Sequence, residues 1–262
     1  MKRAWRFATS LLFNASFIAA TAWYSIRAFI WLHTGRSNRL FLFGRYWALT
    51  VIRCLRLLVG IRVRITGAEH LPLDQPFLLA STHQSAFDTA IWMLLPRPSY
   101  VLKKELLSIP VFGRVLEPGG MIPIDRSAGA RAIRDLIKSG QAARIDGRQV
   151  VIFPQGTRAA PGEPRVIQPG VAALAGAMAV PVIPVVTDSG AHWGRNAFQK
   201  FAGTIHIRIG APLPAGLPRA ELVRALDAAW GQLEAEMRDA VDNLVGEDAS
   251  AFDSRTRRFL HL

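Results

Sequence analysis

The chain has 262 residues, of which 50% are hydrophobic and 19% are charged, and its formal net charge is +13. This length is sufficient to bury a sizeable core and fits one α/β domain with an appendage, while the single cysteine, Cys54, excludes an intrachain disulfide. The excess positive charge belongs to residues 1–70, which contain 11 basic side chains and one acid, Glu69.

Residues 1–59 are both basic and apolar. Phe7–Ile26 is a stretch of 20 residues without a formal charge, with basic residues on both sides, and about 20 apolar residues cross the hydrocarbon core of a bilayer. A basic segment alone also fits nucleic acid. Solvated arginines do not need apolar runs, however, whereas an anionic membrane surface attracts both features. We therefore expect a membrane anchor in residues 1–59 and no nucleic-acid partner.

Leu40–Val59 combines apolar side chains with three arginines, which predicts an amphipathic helix with a basic face. The alternative is a core helix of the main domain. A cleaved signal peptide is an alternative for the first segment, although its apolar run is long for one. Because basic residues flank Phe7–Ile26 on both sides, its orientation stays open, as does the choice between one span, a re-entrant hairpin and two interfacial helices.

Residues 60–245 have the pattern of an α/β domain, and the polar residues 246–262 predict a C-terminal tail. The expected strands are 62–66, 77–81, 99–102, 121–124, 150–153, 182–186 and 204–209, and the expected helices are 85–95, 127–144, 170–177 and 219–244. Such alternation predicts a mixed, largely parallel sheet flanked by helices. The prolines at 181 and 184 predict an edge or bulged strand at that point.

His83 lies five residues before Asp88, between a strand-like run and a helix-like run. Five residues on an ideal helix turn through about 140°, so the two side chains meet only if His83 precedes the helix. The carboxylate would then fix the imidazole tautomer and leave the other ring nitrogen to accept a proton from a hydroxyl. The alternative is a surface histidine near an unrelated acid.

Three further motifs follow strand-like runs. In Phe153-Pro154-Gln155-Gly156-Thr157-Arg158, the glycine lets the backbone approach an anion and the arginine offers a forked donor. Residues 119–126 end in the acid–base pair Asp125-Arg126, and Lys103-Lys104 stands where a cation would meet an anionic substrate. Each has a structural alternative: an ordinary turn, a surface salt bridge or a solvated lysine pair.

The order and spacing of four blocks resemble the glycerolipid acyltransferase family, most closely the bacterial 1-acyl-sn-glycerol-3-phosphate acyltransferases. That family has His-x4-Asp, Gly…Asp-Arg, Phe-Pro-Glu-Gly-Thr-Arg and Val-Pro-x-x-Pro-Val blocks in this order. Here they stand at 83–88, 119–126, 153–158 and 180–185. The resemblance covers roughly residues 71–210. It implies acyl transfer from a thioester to the sn-2 hydroxyl of 1-acyl-sn-glycerol 3-phosphate, which gives phosphatidic acid.

The resemblance also implies a role for each matching residue. His83 would be the general base and Asp88 would orient it, while Lys104, or as a less favoured choice Lys103, would add positive charge. The implied acceptor-binding residues are Arg126, Gln155, Gly156, Thr157 and Arg158. No acyl-enzyme, metal or cofactor is implied, since acyl-CoA or an acyl carrier protein thioester serves as co-substrate. The implied location is a bacterial inner membrane, with the active site facing the cytoplasm.

Two positions depart from the family pattern. Thr82 stands where Asn is usual, and its hydroxyl can still cap a helix. Gln155 replaces Glu, which keeps one acceptor oxygen but excludes an obligatory acid or metal ligand at this position. The acceptor therefore stays open, with a lysophospholipid, glycerol 3-phosphate or a lyso-aminolipid as alternatives. A non-enzymatic basic protein that binds membrane or RNA would explain residues 1–70 but not the four blocks.

Overall fold

The computed structural model describes residues 2–35, 39–160 and 162–243, and the tail expected at 246–262 lies outside them. Its helices are α1 (Lys2–Leu32), α2 (Phe41–Cys54), α3 (Phe87–Trp92), α4 (Phe112–Leu116), α5 (Ala130–Ile145), α6 (Gly170–Met178) and α7 (Arg219–Asn243). Its strands are β1 (Ile61–Thr66), β2 (Leu78–Ser81), β3 (Pro98–Lys103), β4 (Ile122–Ile124), β5 (Gln149–Ile152), β6 (Val182–Thr187) and β7 (Gly203–Ile209). The strands and helices expected after residue 60 are confirmed, while the short helix α4 was not predicted.

The strands form one sheet in the order β1-β7-β6-β2-β5-β3-β4. Neighbouring strands are parallel except β6 and β7, which are antiparallel. The predicted mixed, largely parallel sheet is therefore confirmed. Because β2 is parallel to both β5 and β6, the loops that follow these three strands leave the same edge of the sheet, where α/β proteins commonly bind ligands.

The central strands are buried on both faces because their side chains alternate between two apolar cores. Leu79 of β2 belongs to a first core that the sheet shares with α1, α2 and α3. Its neighbours Leu78 and Ala80 belong to a second core, shared with α5, α6 and α7. Trp230 of α7 lies fully buried in the second core and its indole N–H donates to Ala80 O at 3.2 Å. The second face is thereby tied to the strand that leads to His83.

Of the two alternatives predicted from Pro181 and Pro184, an edge strand or a bulged strand, the edge strand is wrong, because β6 lies between β2 and β7. The C=O group of Pro184 accepts a hydrogen bond from Gly210 N at 2.8 Å, so Pro184 faces β7. Proline has no N–H to donate on this side. No ladder bond is lost, because the pairing of β6 with β7 begins only at Val185. A bulge does lie opposite this point. Val182 pairs with Leu213 and Val185 pairs with Ile209. Three residue intervals on β6 therefore lie opposite four intervals on the chain that continues from the end of β7, so one residue there is extra.

The amino-terminal helices pack on the first core. Phe13 of α1 is fully buried, and Ala48, Val51 and Ile52 of α2 are buried in the same core. This is the packing of a core helix, the alternative considered for Leu40–Val59. The segment Arg3–Leu32 is also long and apolar enough to cross a membrane by length and composition, and only 11% of its most apolar window is buried.

Candidate active site

His83 and Asp88 meet at the turn between β2 and α3. β2 ends at Ser81 and α3 begins at Phe87, so His83 precedes the helix and Asp88 lies in its first turn. The Nδ1 atom of His83 is 3.0 Å from Asp88 Oδ2. With Nδ1 as the donor, the ring is held in the tautomer whose Nε2 accepts a hydrogen bond.

Asp88 is buried and its hydrogen bonds compensate for the burial. Its Oδ2 atom also accepts from the backbone N–H groups of Gln84 and Ser85, each at 2.8 Å, and Oδ1 accepts from the hydroxyl of Ser189 at 2.6 Å. Asp88 is 1% exposed. A buried carboxylate needs such donors, and these contacts fix the carboxylate beside the imidazole.

The end of β5 supports the imidazole from a second side. The ring of Phe153 stacks on that of His83 with centroids 4.0 Å apart and planes 15° apart. Gln155 Oε1 accepts from His83 N at 2.8 Å, and Ala159 N donates to His83 O at 2.8 Å. The amide of Gln155 therefore holds the backbone of His83, a task that needs one acceptor oxygen and no charge.

A cavity of about 1210 Å³ opens beside this pair. Its lining includes His83, and α1, α2 and the residue after α3 contribute an apolar part made of Phe17, Tyr24, Trp47 and Met93. The polar wall also includes the expected acceptor-binding residues Arg126, Gln155, Gly156, Thr157 and Arg158. The structure thus brings these five residues to the space in front of the imidazole.

Arginines dominate the electrostatics of this wall. Arg126 donates to Gly156 O, where Gly156 has a φ of +75° that favours glycine. Burial lowers the pKa of Arg158 below its usual value, and the nearby charge of Arg195 lowers it further while that of Asp88 raises it. Within the described ranges, no carboxylate forms an ion pair with any of these three arginines. The arrangement suits an anionic ligand.

The structure does not bring the preferred lysine to the cavity wall. Lys103 lines the cavity and lies 3.2 Å from Glu105, whereas Lys104 is not among the lining residues and its Nζ lies 3.6 Å from Asp125. Both lysine side chains are more than half exposed. Of the two residues, Lys103 is therefore the one with access to a ligand in the cavity.

Tyr100 is a further residue of the cavity wall, and it lies close enough to Asp88 to interact with its charge. Its hydroxyl donates to Thr89 O at 2.7 Å, and burial together with the charge of Asp88 raises the pKa of Tyr100 well above its usual value. Tyr100 therefore stays a neutral donor and is no candidate base. Over residues 2–35, 39–160 and 162–243, no group of three or more His, Cys, Asp and Glu side chains is placed to hold a metal ion.

Sequence reasoning missed three members of this site: the stacking role of Phe153, the contact of Ser189 with Asp88, and Arg195. Phe153 and Ser189 each follow a strand that neighbours β2. That signal is usable only once the strand order is known. Arg195 lies in the long connection between β6 and β7, which has no sequence pattern of its own.

Comparison with known proteins identifies relatives of this architecture. Residues 62–188 match the family model described as "Acyltransferase". The chain is 36% identical over 170 residues to a 1-acyl-sn-glycerol-3-phosphate acyltransferase of Pseudomonas aeruginosa, a match covering 64% of this chain and 66% of the relative. It is 30% identical over 200 residues to the protein of that name from Bacillus subtilis, covering 72% of this chain and 96% of the relative.

Other matches cover a smaller part of the relative or have a lower identity. The human 1-acyl-sn-glycerol-3-phosphate acyltransferase alpha is 32% identical over 163 residues, which span 58% of that protein. The matched region thus spans less than two thirds of both the human and the Pseudomonas relatives. The crystal structure of a 1-acyl-sn-glycerophosphate acyltransferase from Thermotoga maritima has a TM-score of 0.72 at 18% identity, and the match covers 95% of this chain and 100% of that one. The fold is therefore shared along almost the whole length.

Proposed function

Because this chain belongs to the acyltransferase family, we propose that it transfers an acyl group from a thioester to the sn-2 hydroxyl of 1-acyl-sn-glycerol 3-phosphate, giving phosphatidic acid. The Pseudomonas and Bacillus relatives are named for acyl transfer to 1-acyl-sn-glycerol 3-phosphate. The observation that carries the proposal is the His83–Asp88 hydrogen bond of 3.0 Å on the wall of a cavity that also contains Arg126 and Arg158.

The proposed reaction uses His83 as the general base. Nε2 takes the proton of the acceptor hydroxyl while that oxygen bonds to the carbonyl carbon of the thioester. The tetrahedral intermediate collapses, the C–S bond breaks, and the leaving sulfur receives the proton from Nε2. Asp88 stabilises the imidazolium that forms between these steps. The hydroxyl attacks directly, so the reaction needs no acyl-enzyme and no cofactor besides the thioester of coenzyme A or of an acyl carrier protein.

The acceptor's phosphate is proposed to lie against Arg126 and Arg158. Guanidinium groups bind phosphate oxygens through paired N–H donors, and Gly156 and Thr157 allow the phosphate to approach the backbone of the same turn. Lys103 replaces Lys104 in this proposal because it lines the cavity. Gln155 shapes the site through His83 N and does not repel the phosphate, as a glutamate would.

The acyl chains are proposed to occupy the apolar part of the cavity, against α1 and α2. In this proposal residues 1–59 both anchor the enzyme and form a wall of its active site. Large apolar side chains of α1 are exposed, including Trp5 at 74% and Ile18 at 67%, and exposed apolar surface of this kind suits a lipid phase. We therefore place the protein at a bacterial inner membrane, with the cavity facing the cytoplasm.

The test is an acyl-transfer assay on the full chain in detergent or in vesicles. Purified protein is mixed with an acyl thioester and 1-acyl-sn-glycerol 3-phosphate, and release of free thiol is measured together with phosphatidic acid. His83→Ala is expected to abolish both, and His33→Ala, an exposed histidine at the end of α1, serves as the matched control. Full activity in His83→Ala would disprove the mechanism, and an inactive wild type would disprove the function.

A second arm tests the acceptor. Arg158→Ala is expected to raise KM for 1-acyl-sn-glycerol 3-phosphate more than for a lysophospholipid whose phosphate is a diester, because the monoester carries more charge. The exposed Arg134→Ala on α5 controls for the loss of one positive charge. Equal effects on both acceptors, or none, would favour an acceptor without a terminal phosphate. If no acceptor leads to thiol release or to an acylated product, the non-enzymatic alternative is favoured.

A further inference from the structure

Ser189 lies at the start of the β6–β7 connection and is fully buried. Its hydroxyl donates to Asp88 Oδ1 at 2.6 Å, and its backbone N–H donates to Thr187 Oγ1 at 3.1 Å. A hydroxyl that donates to a carboxylate forms one of the shorter and stronger hydrogen bonds in proteins. Since both groups are buried, solvent does not compete for either of them.

The two oxygens of Asp88 have different surroundings. The three donors to Oδ2 are His83 Nδ1 and the N–H groups of Gln84 and Ser85, all from the turn that contains Asp88 itself. Oδ1 accepts from Ser189, 101 residues further along the chain. Rotation about the Cβ–Cγ bond would move both oxygens, so the three donors to Oδ2 resist it. The contact at Oδ1 adds a further restraint from a distant part of the chain and helps to keep Oδ2 aimed at the imidazole.

The turn that presents Ser189 is held from outside the site. The carboxylate of Asp188 accepts from His206 N at 2.7 Å through Oδ1, and its Oδ2 lies 2.8 Å from His206 Nδ1. The next residue, Gly190, donates its N–H to Gln84 Oε1 at 3.1 Å. The connection after β6 is thus fixed to β7 on one side and to the His83 turn on the other.

We propose that Ser189 is a positioning residue that completes the His83–Asp88 pair, acting through the carboxylate and not on the substrate. The proposal rests on the function proposed above. Loss of the hydroxyl leaves Asp88 Oδ1 buried without this donor and removes one of the restraints on rotation of the carboxylate. The base would then be oriented less often at the moment of proton transfer, while the residues that bind the acceptor would stay in place.

The expected result for Ser189→Ala is a fall in kcat of roughly 10- to 100-fold, the range for losing a hydrogen bond to a charged group. KM for the acceptor should stay within about two-fold, because uniform binding is not altered. The acid limb of the kcat/KM profile should move to lower pH, since a carboxylate that is less often aimed at the ring stabilises the imidazolium less. Ser189→Cys, which retains a weak donor of similar size, should restore part of kcat.

The matched control is Ser99→Ala. Ser99 is equally buried, and its hydroxyl donates to the backbone oxygen of Gly120, away from the pair. The Ser99→Ala variant shows how much activity is lost when a buried serine hydroxyl is removed without any effect on the His83–Asp88 pair. A kcat for Ser189→Ala equal to that of Ser99→Ala, with an unchanged pH profile, would overturn the proposal.

A spectroscopic readout separates this proposal from the function on which it rests. In protein labelled with ¹⁵N-histidine, the Nδ1 proton of His83 should give a downfield signal from its bond to Asp88. Broadening or loss of this signal in Ser189→Ala, but not in Ser99→Ala, supports the positioning role whether or not acyl transfer is detected. An unchanged signal contradicts it. A wild type that gives the signal but transfers no acyl group refutes the proposed function alone.

Discussion

Lys200 is a buried lysine that joins α1 to the α/β domain, and replacing it should change how stability depends on pH. Its ammonium group donates to Asn14 Oδ1 at 2.6 Å and to two backbone oxygens, and it lies 5.6 Å from the ring centroid of Phe13. The residue is 2% exposed. Burial lowers the pKa of Lys200 from 10.5 to about 8.

The direction in which stability changes with pH follows from proton linkage. Between pH 8 and 10.5 the unfolded state binds more protons at Lys200 than the folded state does, so stability rises with pH in this window. The full shift corresponds to about 3 kcal/mol at about 1.4 kcal/mol per pKa unit. Between pH 7.5 and 9.5 we expect the free energy of unfolding of the wild type to rise by about 2 kcal/mol relative to Lys200→Met.

The assay is reversible urea unfolding in mild detergent at several pH values, followed by tryptophan fluorescence, with Trp193 close to the lysine. The informative quantity is the difference between the two proteins in the slope of the free energy of unfolding against pH. Lys200→Met removes a buried charge but also leaves the side-chain oxygen of Asn14 without this donor, so the absolute stability combines opposing effects. The exposed Lys138→Met on α5 is the control and should keep the wild-type slope. Parallel curves for the wild type and Lys200→Met would refute the reasoning.

Three other substitutions give distinct outcomes. Asp88→Asn should lower kcat by about 10²- to 10⁴-fold because the amide stabilises neither the correct tautomer nor the imidazolium of His83; a kcat near that of the wild type in the same transfer assay would contradict the role of Asp88. Gln155→Glu should change kcat only a few-fold, since an oxygen still accepts from His83 N, whereas Gln155→Leu should lower it far more; equal losses in the two variants would show that the hydrogen bond is unimportant. Trp230→Phe should lower the free energy of unfolding by about 1–3 kcal/mol because the buried hydrogen bond from the indole to Ala80 O is lost, with kcat per folded molecule unchanged; an unaltered urea midpoint would exclude this contribution.

The fold could be predicted well from the sequence because its strands are short apolar runs separated by glycine, proline and polar residues. The same local reasoning placed His83 before a helix and Asp88 in its first turn, and the structure has both at those places. For β6 it left an edge strand and a bulged strand open. Pro184 indicates a missing donor, but only the strand order shows that β6 is internal and that Pro184 faces the point where the β7 ladder has not yet begun.

Most residues of the candidate site could also be predicted from the sequence. His83, Asp88, Gln155 and Arg158 lie in short motifs whose spacing is local, and parallel strands bring the ends of those motifs to one edge of the sheet. The choice between Lys103 and Lys104 was not readable. Neighbouring residues at the end of a strand point in different directions, and their access to the cavity depends on how the following turn packs.

The sequence by itself determined the elements, the motifs and the excess of positive charge in residues 1–70. Only the tertiary structure decided that α1 and α2 line the cavity, that Phe153 stacks on the imidazole, and that Ser189 holds Asp88. Hydrogen bonds within a turn depend on a few adjacent residues and leave a pattern in the chain. A contact across 101 residues depends on which strands are neighbours, and strand order is fixed by burial of the whole sheet between its two apolar cores.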